Sequence, residues 1–392
     1  MRVLHVTPAY IPAYRYGGPV KSTHELSRAL VRKGVDVAVY TTNADWETNL
    51  KVPVNKQVEI EGVKVTYFSL GFPRFYYYSA GLGRALRANL KKFDLIHIHS
   101  VFLYPTFIAA RLCREYGIPY IIDPCGALNP DEIKIRSFLK KSLYIKAIEE
   151  KNINYAAAIQ LASVYEKQQF LCLGIKTNKA IVISRGIEVA EYINPGVSRS
   201  LQNKYRQLEG AKVVLFLGRL SLEKGLELLV LAMKKVFAKR NDVYLIIAGS
   251  DERGYGRKLK LFCSACGVND RVIFTGMLLG EDKIAALYSS DVFALSSPGE
   301  SFGMVVLEAM ACRRPVVITD RVGICPEVKE YKAGIVTEYD PDAFSQAVLK
   351  LLDDEDLRKK CGENARLLAQ DKFGWDKIAD EAIREYKNIL AR

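Results

Sequence analysis

The sequence predicts an α/β protein built from two doubly wound domains. Three observations predict it. Short apolar runs alternate with amphipathic helical stretches, the pattern breaks near residues 188–200, and it then restarts. A chain of 392 residues also suits two or three domains of ordinary size.

In the first half, Val3–Thr7 reads as a buried strand. Gly17-Gly18-Pro19 is a loop, and Val20–Lys33 is a helix with Leu26, Ala29 and Leu30 on one face. Gly34 stops that helix, and Val35–Thr41 is the next strand. Val63–Phe68, Leu95–His99 and Tyr120–Asp123 follow as strands, mostly with helical segments between them. This βαβ grammar implies a parallel sheet covered on both faces. Ile181–Ile183 is a strand, and a polar stretch with Asn194-Pro195-Gly196 and Ser198-Arg199-Ser200 follows it. Then come the strand Val213–Leu217, the loop Gly218–Gly225 and the helix Leu226–Lys239. Strands at Val243–Ala248, Val272–Phe274, Val292–Leu295, Val316–Thr319 and Gly334–Val336 continue the pattern, and Trp375–Ala391 is an amphipathic helix.

The chain is 49% hydrophobic and 26% charged, which excludes wholesale disorder and a collagen-like chain. No apolar run approaches the roughly 18 residues of a membrane-spanning helix. The N-terminus is too short and polar for a signal peptide, so a cytoplasmic protein is expected. The charge of +13 is uneven: residues through Glu188 carry 26 Lys and Arg against 15 Asp and Glu, and the remainder 31 against 29. The first half therefore faces something anionic or is simply a basic surface. No nucleic-acid recognition motif appears, so nucleic acid is not expected as a partner. The eight cysteines are scattered and are expected to be reduced; Cys263 and Cys266 lack the second pair of a zinc site.

Ligands of open parallel sheets bind beyond the carboxyl ends of the strands, so the residues after each strand carry the chemistry. Gly17 and Gly18 stand where backbone N–H groups and a helix N-terminus can hold an anion, or where a tight turn is needed. Arg219 and Lys224 flank a loop that opens a helix and suit a diphosphate. Glu300 lies in the loop before an apolar helix start, and Glu308 lies two turns along it. A carboxylate there, with the backbone of Ser301–Gly303, suits sugar or ribose hydroxyls. His99 ends a strand and is expected to point into a cleft between the two loop-rich faces. No Asp-x-Asp stands at a strand end, and Asp353–Asp356 is an acidic helix junction, so no metal and no cofactor are expected.

These residues together resemble the retaining GT-B glycosyltransferases of the fourth sequence family, the glycosyl transferases group 1. The markers are Gly17-Gly18, the Gly-Arg-Leu…Glu-Lys-Gly loop at 218–225, Glu300 and Glu308 with seven residues between them, Leu307–Ala311 and Phe373-Gly374-Trp375. The resemblance covers essentially the whole chain. It implies two Rossmann-like domains facing each other across a cleft: an acceptor-side domain over 1–190, completed by a helix at 375–392, and a donor-binding domain over 191–374. It implies a nucleoside diphosphate sugar as donor and a saccharide or lipid-linked acceptor. Gly18, Arg219 and Lys224 would meet the diphosphate and Glu308 the ribose. Glu300, with the Phe302-Gly303 backbone, would meet the transferred sugar. Backbone atoms near Thr275–Leu278 would read the base. Where the family often has His-Gly, this chain reads Asp123-Pro124-Cys125-Gly126, so His99 or Asp123 is expected to take over part of that role. Two more departures are Arg185 before Gly186 and Arg313 after Cys312. The expected activity is metal-independent transfer with retention; an epimerase or a phosphorylase on the same fold is the alternative.

Two basic, aromatic stretches bear on the acceptor. One runs from Phe72 to Tyr78 and on through Arg84, Arg87, Lys91 and Lys92, the second part suggesting a basic amphipathic helix. The other is Lys134–Lys151. They suggest an anionic membrane surface, a peripheral position on its inner face, and a lipid-linked acceptor in surface polysaccharide assembly.

Overall fold

The computed structural model describes residues 1–130, 133, 138–193, 204–251 and 254–391. The polar stretch at 194–200 and residues 134–137 of the second basic stretch lie outside them. The chain divides into two compact units, Met1–Gly186 with Trp375–Arg392, and Ile187–Gly374. Ile187 already belongs to the second: its N–H donates to Phe373 O at 2.7 Å.

The first unit holds strands β1 (Arg2–Thr7), β2 (Asp36–Thr42), β3 (Ala44–Asp45), β4 (Thr48–Asn49), β5 (Gln57–Ile60), β6 (Val63–Phe68), β7 (Leu95–His99), β8 (Tyr120–Asp123), β9 (Ala158–Leu161) and β10 (Ala180–Val182). Eight of them form a sheet in the order β10-β9-β8-β7-β1-β2-β6-β5, and β3 and β4 form a separate hairpin. The sheet is not wholly parallel as the sequence pattern predicts, because β5 runs antiparallel to β6. Glu61 and Gly62, with φ of 49° and 82°, make the two-residue turn that forces this reversal. β5 is a half-exposed edge strand, so it lacks the apolar run that marks the others.

Both faces of the central strands are buried, which is why Val3–Val6 and Leu95–His99 are apolar apart from His5, His97 and His99. Val3, Val37, Val65 and Leu95 pack toward one layer with Leu26, Leu30, Trp375, Ile378 and Tyr386. Leu4, Val6, Ile96 and Ile98 pack toward the other with Leu82, Leu86, Ile108 and Leu112. The last helix, Trp375–Leu390, thus completes the first unit's core, beside the first helix, Gly18–Arg32. Arg32–Asp376 and Lys33–Asp380, each 2.8 Å, tie the exposed rim of that pair.

The second unit is a wholly parallel six-stranded sheet of β11 (Lys212–Leu217), β12 (Val243–Ala248), β13 (Val272–Gly276), β14 (Val292–Leu295), β15 (Val316–Thr319) and β16 (Gly334–Thr337). Its order is β13-β12-β11-β14-β15-β16. Among the described residues, no helix is long and apolar enough to cross a membrane.

On the buried face under the last helix, Tyr386 Oη and His97 Nδ1 are 2.7 Å apart. Tyr386→Phe strands that buried nitrogen and is expected to cost about 1–3 kcal/mol. Urea unfolding at neutral pH checks it; an unchanged midpoint would show that the bond does not hold the helix.

Candidate functional site

In the second sheet the strand order reverses between β11 and β14. At such a reversal the loops that follow the two neighbouring strands are where open parallel sheets bind their ligands. After β11, Gly218–Gly225 leads into the helix Leu226–Lys239. Gly225 has φ 62°, and a Cβ there would lie 2.1 Å from Ser296 O, so glycine lets this loop press against the one after β14. Gly249, after β12, is equally constrained: its Cβ would meet Gly218 O at 1.7 Å. Within this close frame, the Lys224 ammonium and the Glu300 carboxylate form an ion pair, both largely shielded from solvent. Arg219 stands exposed on the same loop.

Glu300 is held by its backbone. Its N–H donates to Arg321 O, and its carbonyl accepts from Gly323 N, both at 2.9 Å. Phe302 is buried against Phe373, with ring centroids 5.4 Å apart. Gly303, with φ 101°, caps the helix Met304–Ala311. Glu308 lies buried on that helix, and its Oε1 accepts from Lys283 Nζ at 2.7 Å and Tyr192 Oη at 3.0 Å. Burial, and then the Glu308 charge, pushes the Tyr192 phenol up, so it remains a donor. Arg219, Lys224, Glu300, Phe302, Gly303 and Glu308, all predicted from the sequence, thus lie in one unit, on loops and a helix that follow β11 and β14. The sequence reading did not foresee Lys283 and Tyr192; Lys283, at helix spacing before an apolar run, reads as an ordinary surface charge.

The first sheet reverses between β1 and β7. Beyond β1, Gly17 with φ 74° caps the helix Gly18–Arg32, which has no acidic residue in its first turn. A Cβ on Gly17 would meet nothing within 4 Å, so the backbone angle, not space, selects glycine. Gly17 and Gly18 are exposed, as an anion-binding helix start requires. Beyond β7, Ser100 and Phe102 have φ of 76° and 65°. Non-glycine residues in that region are strained, and such strain gathers at functional sites.

His99 departs from expectation. It is 1% exposed and does not face an open surface. Its Nε2 is 2.8 Å from His5 Nδ1, and its Nδ1 is 3.5 Å from Asp123 Oδ2. Asp123, also buried, is gripped by Arg185 through Nη1–Oδ2 at 2.6 Å and Nη2–Oδ1 at 2.8 Å, and Oδ1 accepts from Cys125 N at 2.9 Å. Burial alone would raise the Asp123 pKa, but the Arg185 guanidinium and the neighbouring His99 outweigh it and hold the carboxyl well below its usual range. Two departures from the family pattern, at Cys125 and at Arg185, are therefore one assembly. Parallel pairing carries β7 and β8 to the same level and sets His99 beside Asp123. The signal in the sequence was an Arg three residues beyond a short apolar strand, at the sheet's carboxyl edge.

His5 and His97 are neutral: burial, and then the neighbouring His99, pushes both well down. Among the described residues, His5, His97 and His99 bring ring nitrogens within 4.8 Å of one another, as do His99, Asp123 and Cys125 their ligand atoms. Hydrogen bonds to His99, Tyr386 and Arg185 already engage much of both sets. Burial raises the Cys125 thiol, away from the thiolate a metal prefers. Asp353 and Asp354 are structural: the first pairs with Arg240, and the second caps a helix by accepting from Leu357 N at 2.8 Å. All eight cysteines are free.

Comparison with known proteins bears on the family and the fold. Residues 197–368 match the family model of glycosyl transferases group 1, and residues 17–186 match that of the glycosyl transferase 4-like domain. D-inositol 3-phosphate glycosyltransferase of Corynebacterium glutamicum is 30% identical over 99% of this chain and 96% of its own. The structure of sucrose-phosphate synthase from Thermosynechococcus elongatus superposes with a TM-score of 0.80 at 20% identity, covering 100% of both chains. Anabaena HepE in complex with UDP and glucose superposes at 0.76 and 19% identity, covering 99% of this chain and 100% of that one. Both folds are GT-B, as is this one.

Burial lifts buried Glu166 to about 7; its Oε2 accepts from Ala162 N at 2.6 Å. A carboxyl raised on folding stabilises fully below its unfolded pKa and loses that contribution as pH rises through about 7. Glu166→Gln is therefore expected to be more stable than the parent above pH 7, by up to about 3 kcal/mol, and to converge with it near pH 4. Urea midpoints across that range measure it; a constant difference at all pH values contradicts it.

Proposed function

The chain belongs to the glycosyl transferases group 1 family, and on that premise we propose that it moves a sugar from a nucleoside diphosphate sugar to an acceptor hydroxyl with retention, leaving an α-linkage. The Lys224–Glu300 ion pair beside the β11/β14 reversal carries this reading. A fixed cation next to a fixed carboxylate suits a ligand with a diphosphate at one end and sugar hydroxyls at the other. The complex of HepE with UDP and glucose makes UDP the first nucleotide to try.

On binding, Lys224 exchanges Glu300 for phosphate oxygens, and Arg219 adds a guanidinium fork. Glu300 is released to accept from hydroxyls of the transferred sugar. Glu308 takes the ribose hydroxyls; its two donors both meet Oε1, so Oε2 serves the ligand. As the bond from the sugar's anomeric carbon to the leaving phosphate breaks, charge develops on the diphosphate, where Lys224, Arg219 and the helix start at Gly225 counter it. The acceptor oxygen bonds the anomeric carbon from the same face, and its proton passes to the leaving phosphate. No protein nucleophile is used. Fixed cations do the work a metal does elsewhere, so activity is expected to persist in EDTA.

The acceptor in this reading is a lipid-linked saccharide or glycolipid. Phe72 and Phe75 are 89% and 81% exposed, and Arg84, Arg87, Lys91 and Lys92 also face solvent. The helix Ala80–Asn89 is not the membrane-inserting amphipath its sequence suggests, because Leu82, Leu86 and Leu90 are buried in the core. Contact with a bilayer falls instead to the two phenylalanines and the cations. The relative that acts on D-inositol 3-phosphate favours a second reading with a soluble acceptor.

Glu308→Ala is expected to weaken nucleotide binding by about 1.5–3 kcal/mol in calorimetry. Lys224→Ala is expected to cut transfer roughly a hundredfold. Unchanged binding and rates in these variants would remove the site; loss of activity in EDTA with recovery on Mg²⁺ would refute the metal-free step. For the acceptor, co-sedimentation with anionic vesicles is expected, falling with added salt and on exchange of Arg84, Arg87, Lys91 and Lys92 for Glu. No sedimentation even at low salt would leave the soluble acceptor as the reading.

A further inference from the structure

Three aromatic side chains from three separate loops meet in the first unit. Tyr16 directly precedes Gly17 at the β1/β7 reversal. Trp46 lies at the tip of the β3–β4 hairpin, and Tyr77 follows the turn Arg74–Tyr76. The Tyr16 ring centroid is 5.9 Å from that of Trp46 and 6.1 Å from that of Tyr77, with planes inclined at 47° and 57°. The rings stand as walls, and with Glu47 they line a recess of about 180 Å³.

Tyr16 and Tyr77 rest partly against the first unit's core, but Trp46 does not, so core packing does not account for the indole. Trp46 and Tyr77 both have φ of 55°, a conformation that strains bulky residues. Trp46 is nonetheless 57% exposed, so its strain is not repaid by burial. The hairpin is instead clamped in place. Arg74 donates to Trp46 O from Nε at 3.1 Å and Nη2 at 2.9 Å, to Asn49 Oδ1 at 2.7 Å, and to Thr48 O. On the other side, Trp46 N donates to Tyr16 Oη at 2.7 Å. An exposed indole carried on a strained, firmly held stretch of backbone suits a preorganised ligand wall.

We propose that this recess is a carbohydrate subsite for the acceptor: a sugar or cyclitol ring lays its C–H face on Trp46 and its hydroxyls reach Glu47 and the two phenols. This rests on the glycosyl-transfer reading above. Aromatic walls with a few convergent polar groups are the usual make-up of such sites. Burial, and then the hydrogen bond to Tyr16, raises the Tyr77 phenol, so it stays neutral and its oxygen can accept from a ligand hydroxyl. Two of the three walls thus end in hydroxyls, a rim that matches vicinal hydroxyls better than an ammonium group.

The chain has two tryptophans, and Trp375 is buried, so the solvent-sensitive emission is that of Trp46. The full chain is titrated with methyl α-glucoside, methyl α-mannoside, methyl α-galactoside and myo-inositol, and separately with choline, while Trp emission is followed. A saturable change with at least one ring compound is expected, absent in Trp46→Phe. Tyr77→Ala and Glu47→Gln are each expected to raise the apparent Kd about tenfold. Silence toward every ring compound up to its solubility limit, or a response to choline alone, overturns the assignment. The Tm rise with UDP reads the other unit. Its presence shows that a variant is folded, and its absence in the parent, with ring binding intact, would fault the donor reading and not this subsite.

Discussion

Each of the two sheets contains one pair of neighbouring strands whose following helices cannot lie on the same side. In the first unit the pair is β1 and β7, and in the second β11 and β14. Right-handed crossovers send the two connections to opposite faces, and the loops part as they leave the strands. Much else in the molecule depends on this constraint. It decides that Gly17, the strained Ser100 and Phe102, and the aromatic recess gather at one edge of the first unit. It likewise decides that Lys224 and Glu300, 76 residues apart in sequence, become an ion pair in the second. Gly225 serves it, since the loops after β11 and β14 touch there backbone to backbone before they part.

The frame was legible in the sequence wherever a strand is buried on both faces. β7, β8, β12, β14 and β15 read from their apolar runs with the bounds the structure has. Ala158–Leu161 was missed because it follows two further alanines, and a short alanine-rich run does not distinguish a strand from a helix. β5 was missed because an edge strand needs no apolar alternation. Arg219, Lys224, Glu300 and Glu308 were legible as a group because each stands just after a strand or at the helix start that follows one. His99 and Asp123 were legible as a pair of strand ends but not as buried groups. What buries and fixes them is Arg185, which lies 62 residues further on and is brought beside Asp123 only by folding.

Without ligand, the principal carboxylates are neutralised by nearby cations: Glu300 by Lys224, Glu308 by Lys283, and Asp123 by Arg185. The first pair is largely but not wholly shielded, and under the proposed function a diphosphate offers Lys224 a stronger partner than a single carboxylate does. The third is buried and bidentate, and breaking it would leave an uncompensated charge in the core, so it acts as a fixed post for the strand ends around it. Under the proposed function, the solvent-accessible pairs of one unit exchange partners with a donor, while the locked pair of the other holds the scaffold.

Amide hydrogen exchange with and without UDP, and with GDP and ADP in parallel, examines donor binding at the β11/β14 reversal most directly. One of these nucleotides should slow exchange in the loop 218–225 and at the helix start 301–308, while the distant strand β16 is unchanged. Protection elsewhere, with both segments unaffected by any of the three, would contradict it.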